Sequence, residues 1–413
     1  MRIDSDERRV VDSAAYQRLR HIHQLAMTYL VYPGATHRRF EHCLGVMEVA
    51  TRIFDVVTDT RNVTNDVARE LVNEEEGRLP YWRSALRMAA LCHDLGHLPF
   101  SHAAEDLLPE GINHESISLA LIRSDEMREH WKRMKLDAED IAKLAVGQKK
   151  YGVPLTPWES ILSEIIVGDG FGADRIDYLL RDSHHAGVAY GRFDQNRLID
   201  TLRILPKQHE SDEPMLGVEE GGLHSAEALL WARHFMYTQL YFHPVRRIYD
   251  QHLQEFLHAW LPDGKFSADV KAHLSMTDNE VLGAMANPAA PGHEPARRIG
   301  FREHYKHLYK RNPTDQKTNK GSVKAVYEAA KRQFGDDAVR IDEYPAKGRG
   351  IDFPVWTASD RVESSIMLSE TLEKVPGFVV GTVYVRPELR QPARKWLEEN
   401  RDTIIGAAPQ FET

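Results

Sequence analysis

The chain has 413 residues, 42% of them hydrophobic and 28% charged, with a formal net charge of -9. That is enough chain for a large domain plus a smaller one, and the composition belongs to a folded protein rather than a disordered one. The acidic balance excludes non-specific clinging to nucleic acid or to an anionic membrane as a default, while leaving room for a local basic pocket that takes phosphates. The only cysteines, Cys43 and Cys92, sit in apolar, helix-like stretches and exclude a disulfide framework or a Cys-rich zinc site. A reducing cytoplasm is the expected setting. The first ten residues are charged and lack the apolar core of a signal peptide. No apolar run approaches the ~20 residues that span a bilayer.

In chain order, Asp4 or Ser5 is expected to cap a helix running to about His23, with Val10, Val11, Ala14 and Leu19 near helical spacing. Tyr32-Pro33-Gly34 breaks the chain. A second helix is predicted from Arg39 through Phe54 and a third from Trp82 to Leu95, ended by Gly96, with Pro99 forcing a turn. Residues 114–122 are short and apolar on one face, and helices are predicted over 158–167 and 173–184, separated by the glycine-rich 168–172. Residues 225–261 form a long amphipathic pattern in which Pro244 is expected to kink the helix. Beyond 262 the character changes. Residues 288–295 read as a loop, 304–324 as a Lys-rich polar stretch, 378–385 as a β-branched strand and 388–400 as a helix. The expected fold is mainly α, with a helical domain over 1–262 and a smaller C-terminal α+β region over 263–413.

The strongest chemical signal is Leu91-Cys92-His93-Asp94-Leu95-Gly96-His97. Adjacent His and Asp side chains at a helix end point only about 100° apart, so both can converge on one ion. Imidazole with carboxylate suits Mn, Mg, Fe, Co or Zn, and the lack of thiolates argues against a closed structural zinc site. His97 follows Gly96, so the chain can turn it toward the same cavity. His42, at the start of an apolar helix, and Asp174, just after the glycine-rich loop, would complete a His, His-Asp, Asp set. A lone His or a lone His-Asp pair is more often an ordinary hydrogen-bonded group than a ligand. The case rests on the combination, because His93, Asp94, His97 and His102 crowd one stretch beside apolar helices, where unpartnered polar groups are costly.

Arg39-x-x-His42, His93-Asp94 and Asp174 also stand in the order of the HD-domain signature. The surrounding residues 31–46, 92–102 and 174–187 make the chain resemble the HD-domain deoxynucleoside triphosphate (dNTP) triphosphohydrolases, both the catalytic core of SAM-and-HD-domain members and the bacterial dGTPase-like homologues. The likeness runs from about 12 to 260. It implies hydrolysis of a dNTP to a deoxynucleoside and inorganic triphosphate, with the metal on His42, His93, Asp94 and Asp174 polarising the α-phosphate and preparing the attacking water. It implies that His114 is the general acid for the 5′-oxygen, supported by Glu105 where the family has Asp, and that His97 and His102 contact phosphates. Arg39, Arg175 and Arg233 would neutralise the triphosphate. Some relatives have Lys in place of Arg175, which keeps the charge and changes the geometry. Tyr178 would pack on the sugar, with Gln24 and Asp182 near the 3′-hydroxyl and Leu25 crowding out a 2′-hydroxyl. Tyr241 would stack near the base, although its aromatic-rich helical setting fits core packing nearly as well.

Beyond Glu105, the chain departs from the family in two places. The Asp-Pro-[Val/Ile]-His-Gly segment that usually precedes the first helix is not found. Asp12 and Arg20 match positions that read a guanine activator, but Pro244 follows His243 where a basic activator contact would sit, so a nucleotide effector other than dGTP, or none, is expected. The basic run Lys306, Lys310, Arg311, Lys317, Lys320 and Lys324 could meet an effector or nucleic acid, yet reads better as a solvated loop, and nucleic-acid binding is not expected. The resemblance also implies a homo-oligomer. Two other functions compete. The same metal site could serve another phosphohydrolase acting on a nucleoside monophosphate, a cyclic nucleotide or an alarmone. Alternatively, the protein could sense nucleotides or bind nucleic acid through a residual site. Residues 168–172 lack the Gly-Lys-[Ser/Thr] ending of a P-loop and receive no phosphate role.

Overall fold

Capping side chains mark where several of the helices begin. The computed structural model describes residues 1–207, 213–347 and 350–406, apart from the side chains of His102 and of 345–347. Asp4 caps helix α1 (Ser5–Val11) and exchanges a capping box with Glu7. The single helix expected to His23 stops there. Ser13 donates to the Val10 carbonyl and accepts from Tyr16 N, which diverts the backbone into a short turn and then a 3-10 turn over Arg18–His21. Helix α2 (Arg39–Val57) follows, then α3 (Leu79–Cys92) with Pro80 in its first turn. Next come α4 (His114–Ile122) capped by Asn113, α5 (Ala138–Val146) capped by Asp137, and α6 (Pro157–Val167) capped by Thr156. Helix α7 (Ala173–Ala186) ends at Gly187, whose φ of +72° is the left-handed value that favours glycine.

The pattern over 225–261 is not one kinked helix. It divides into α8 (Leu223–Phe235), a π-helical segment Met236–Tyr241, and α9 (Pro244–Trp260). Pro244 opens α9 rather than bending it, because its ring suits a first turn whose N–H has no helical partner. Two later helices are α10 (Ser322–Phe334) and α11 (Arg390–Gly406).

Seven strands are described: β1 (Leu202–Pro206), β2 (Pro214–Glu219), β3 (Lys306–Lys310), β4 (Val339–Lys347), β5 (Pro354–Trp356), β6 (Val362–Ser364) and β7 (Phe378–Val385). One sheet runs β1-β2-β5-β6, with β1 antiparallel to β2 (Leu202 opposite Val218) and β2 parallel to β5. The other runs β3-β7-β4, both pairs antiparallel. Its central strand is the β-branched run legible in the sequence, as expected for a strand paired on both sides. The polar stretch 304–324 is not the solvated loop expected. Leu308 and Tyr309 of β3 are buried while His307 and Lys310 face out, which is the charged edge that protects a sheet from stray pairing.

The chain forms two compact units. The first comprises Met1–Met236, Lys265–Leu282 and Gly350–Pro376; the second comprises Tyr237–Gly264, Gly283–Arg349 and Gly377–Thr413. Both draw on residues either side of 262. In the first, α2 packs on α3 and α7, α3 on α5, and α5 on α6. Cys43, Val46, Met47, Ala50 and Ile53 of α2 are buried at the centre. In the second, Tyr309, Val326, Ala330, Val383, Val385 and Leu397 form a core between the three-stranded sheet and helices α10 and α11. The protein is mainly helical, and among the described residues no helix is long and apolar enough to cross a membrane.

Candidate metal centre

The packing of α2, α3 and α7 sets the geometry. His42 lies one turn into α2, His93 caps α3, and Asp174 stands in the first turn of α7. Their donor atoms lie within 4.8 Å of one another. His42 Nε2 is 3.1 Å from Asp174 Oδ1 and 3.7 Å from Asp94 Oδ2, and His93 Nε2 is 3.6 Å from Asp174 Oδ1 and 3.4 Å from Asp94 Oδ1. The four residues proposed as ligands from the sequence therefore converge. Asp94 offers one oxygen toward each imidazole while also meeting Arg39 Nη1 and, at 3.2 Å, His97 Nε2.

Neighbouring groups fix each imidazole tautomer. His42 Nδ1 donates to Asp177 Oδ2 at 2.8 Å, and Arg181 donates twice to the same carboxylate. His93 Nδ1 donates to the Ala90 carbonyl at 2.8 Å. Both Nε2 atoms are left buried without a hydrogen-bond partner. A buried polar nitrogen in that position is costly unless something accepts its lone pair. Two such nitrogens flanked by two carboxylates, with no thiolate, form a donor set that fits a borderline or hard divalent cation.

The electrostatics point the same way. Burial alone would lower His42, but the Asp174 and Asp177 carboxylates beside it outweigh that and lift the group to about 10. Burial would raise Asp174, yet His42 and His93 hold it far below the carboxylate range. Burial would likewise raise Asp94, which Arg39, His93 and His97 hold well down. The centre therefore attracts positive charge, so a proton and a metal cation compete for the same nitrogens. His97 differs: burial, Arg39 and His114 push it well below the usual imidazole range, so it stays neutral.

Beside this cluster, the His97 and His114 rings stack with centroids 4.1 Å apart. His114 Nδ1 is 2.5 Å from Glu105 Oε1, and Glu115 Oε2 lies 3.5 Å away. The His114–Glu105 pair expected from the sequence is thus assembled, with Glu in place of Asp. Two glycines make the approach possible. A Cβ on Gly96 would lie 2.1 Å from the His114 carbonyl oxygen, and one on Gly45 would lie 1.9 Å from Asp177 Oδ1.

The other expected contacts are distributed unevenly. Arg39 is buried and bonds Asp94 and Ser101 Oγ (3.0 and 2.8 Å). Arg175 donates to the carbonyls of Gly168 and Asp169, so the glycine-rich turn anchors this guanidinium, and Arg233 reaches the Asp169 carbonyl at 3.5 Å. Asp182 is buried against His37 Nε2 at 2.7 Å, and His37 stacks on His185. Gln24 and Leu25 are half-buried beside this segment, with Gln24 N donating to the His37 carbonyl and Gln24 Oε1 buried without a partner. Tyr178 is half-buried on α7, one turn beyond Asp174. Tyr241 belongs to the second unit, where its ring packs edge-on against Tyr237. The His102 side chain lies outside the described residues.

Sequence reasoning missed Asp177, Ser118, Ser101, His37 and Asp278, which bond residues of the site or the turns that carry them. Ser118 Oγ accepts from Gly96 N at 2.9 Å and donates to the His93 carbonyl at 3.0 Å, clamping the turn. Asp177 alone had a signal, since it follows Asp174 by three residues on one helix face.

Residues 39–164 match the family model described as HD domain, and residues 193–347 match that described as HD associated region. An uncharacterized protein of Methanocaldococcus jannaschii is 35% identical over 248 residues, 60% of this chain and 45% of that protein. The deoxynucleoside triphosphate triphosphohydrolase SAMHD1 of Gallus gallus is 28% identical over 347 residues, 74% of this chain and 54% of that protein. The chain spans about half the length of the curated relatives it matches. The crystal structure of a hypothetical protein from Aquifex aeolicus is similar with a TM-score of 0.79 and 32% identity, covering 96% of each chain.

Proposed function

The chain belongs to the HD-domain family, and on that premise we propose that it is a metal-dependent phosphohydrolase that cleaves deoxynucleoside triphosphates to deoxynucleoside and inorganic triphosphate. The observation that carries the metal dependence is the pair of buried, unpartnered Nε2 atoms on His42 and His93, facing Asp94 and Asp174. A divalent ion there would supply Lewis-acid polarisation of a phosphoryl oxygen and a more acidic water. Asp177 and the Ala90 carbonyl keep the two ligand rings in the tautomer that offers Nε2.

His114 is the proposed general acid. Glu105 holds its Nδ1 and so orients the ring, and Nε2 is proposed to pass a proton to the 5′-oxygen. His97, neutral and stacked on His114, is proposed to contact a phosphate oxygen. Leu25, Gln24, Asp182 and Tyr178 are proposed to read the deoxyribose, and Arg39, Arg175 and Arg233 to balance the triphosphate charge. The substrate assignment is supported by the likeness to SAMHD1 over 74% of this chain. Another phosphoester substrate on the same centre is the competing outcome.

The test is product analysis. The purified protein, with Mn or Mg, is incubated separately with each dNTP and NTP, and Asp174→Ala serves as control. Release of deoxynucleoside with intact triphosphate, lost in the variant, is expected. Survival of every dNTP, with and without added nucleotide effectors, would sink the substrate assignment; cleavage of a different phosphoester in the same experiment would leave the metal centre standing.

A further inference from the structure

Residues Lys265–Leu282 form a strap. They belong to the first unit, although the chain immediately before and after them belongs to the second. The strap bonds repeatedly to the loop that follows His93 and Asp94. Phe266 N donates to the Leu107 carbonyl at 2.9 Å. The Met276 carbonyl accepts from Arg18 Nε and Nη2 at 3.1 and 2.8 Å, and the same guanidinium donates through Nη1 to the His97 carbonyl at 2.8 Å.

Asp278 makes the most consequential contact. It is 1% exposed and both of its oxygens are engaged. Oδ2 accepts from His23 N at 2.7 Å and faces His23 Nδ1 at 2.5 Å, while Oδ1 accepts from Phe100 N at 2.8 Å. Phe100 and Ser101 have φ values of +56° and +57°. Two successive side-chain-bearing residues in the left-handed region need outside support, because Cβ crowds the backbone there. Asp278 supplies it from one side. The turn in turn delivers Ser101 Oγ, which accepts from Arg39 Nε and Nη2 at 3.0 and 2.8 Å and reaches the His23 carbonyl at 3.4 Å. Arg39 then presents Nη1 to Asp94. A continuous chain of bonds thus runs from the strap to a ligand of the centre.

We propose that Asp278 is a positioning residue of the metal centre, holding the Phe100–Ser101 turn so that Ser101 sets Arg39 against Asp94. The inference rests on reading His42, His93, Asp94 and Asp174 as metal ligands. Asp278→Asn keeps the shape but has a single acceptor oxygen, so it cannot accept from both His23 N and Phe100 N, and the pair of bonds that ties the turn to the His23 segment is broken.

The experiment measures Mn(II) affinity of the full chain by calorimetry and electron paramagnetic resonance. It compares the unmodified protein, Asp278→Asn, Ser101→Ala, the double variant and Asp174→Ala. We expect Mn(II) binding that Asp174→Ala abolishes, and about tenfold or greater weakening in Asp278→Asn and in Ser101→Ala, as for groups that orient ligands. The double variant should be no weaker than the more severe single variant, because both act along one path. Unchanged affinity in Asp278→Asn, accompanied only by a lower melting temperature, would make Asp278 a purely structural group and overturn the inference. Additive losses in the double variant would overturn the path through Ser101. If Asp278→Asn does not fold, Ser101→Ala carries the test alone, and affinity equal to that of the unmodified protein overturns the path. Absence of any Asp174-dependent Mn(II) binding in the unmodified protein would instead remove the metal reading itself.

Discussion

His42 reaches the centre already oriented, because Asp177 accepts a hydrogen bond from its Nδ1 and Arg181 pins Asp177. Asp177→Ala leaves the ring without that acceptor and leaves Arg181 without its carboxylate. Mn(II) affinity should fall about 10- to 100-fold, measured by calorimetry. Affinity equal to that of the unmodified protein would mean that the ring is held by packing alone. His114 makes a contrasting prediction. It stacks on His97 and bonds Glu105, and the cluster it belongs to, Glu105, His114 and Glu115, is separate from the one formed by His42, His93 and Asp174. His114→Gln should therefore keep its Mn(II) affinity while kcat falls by about 10²–10⁴, the usual worth of a positioned acid. A parallel loss of metal affinity would place His114 among the ligands instead.

At the scale of elements, the decisive contact is between α4 and the turn after α3. Gly96 carries no side chain, and an added Cβ would sit 2.1 Å from the His114 carbonyl oxygen and 2.4 Å from Ser118 N, both backbone atoms that cannot rotate away. Gly96→Ala should cost about 1–3 kcal/mol of stability as an overpacked contact and lower kcat by shifting His114. Chemical denaturation and turnover check the two effects, and a variant unchanged in both would show that α4 can slide without consequence. The helices α2, α3 and α7 were legible because apolar residues recur at helical spacing along them, and Gly96 gave α3 a clear stop. Strand β7 was legible because its β-branched run has no competitor. Strands β1 and β2 were not: Arg203, buried on β1, bonds Glu219, and Gly217 interrupts β2, so neither shows a clean apolar alternation. The convergence of His42, His93, Asp94 and Asp174 was legible from residue type and order. The groups that orient them were not, since their roles depend on contacts between distant segments; His23 and Asp278 are 255 residues apart in the chain.

At the scale of the whole molecule, stability should depend on pH through a group that is not part of the metal centre. Glu164, on α6, accepts from Leu216 N of β2 at 3.1 Å and so joins the helices of the first unit to its sheet. Burial, assisted by the nearby Glu213 charge, raises its carboxyl to about 7, against the lowering effects of Leu216 N and Lys207. The sign follows from proton counting. Between the unfolded value of about 4.5 and the folded value, the folded state binds more protons than the unfolded one, so stability falls as pH rises through that window and is level above it. A shift of this size corresponds to about 3 kcal/mol at full ionisation, at about 1.4 kcal/mol per pH unit. Glu164→Gln retains an acceptor for Leu216 N and removes the charge. It should match the unmodified protein near pH 4 and exceed it by up to about 3 kcal/mol at pH 8, in the unfolding transition of the first unit. With two units the transition need not be two-state, so tryptophan fluorescence and circular dichroism should be followed together. A stability difference that stays constant from pH 4 to pH 8 would assign the effect of the substitution to packing rather than to the buried charge.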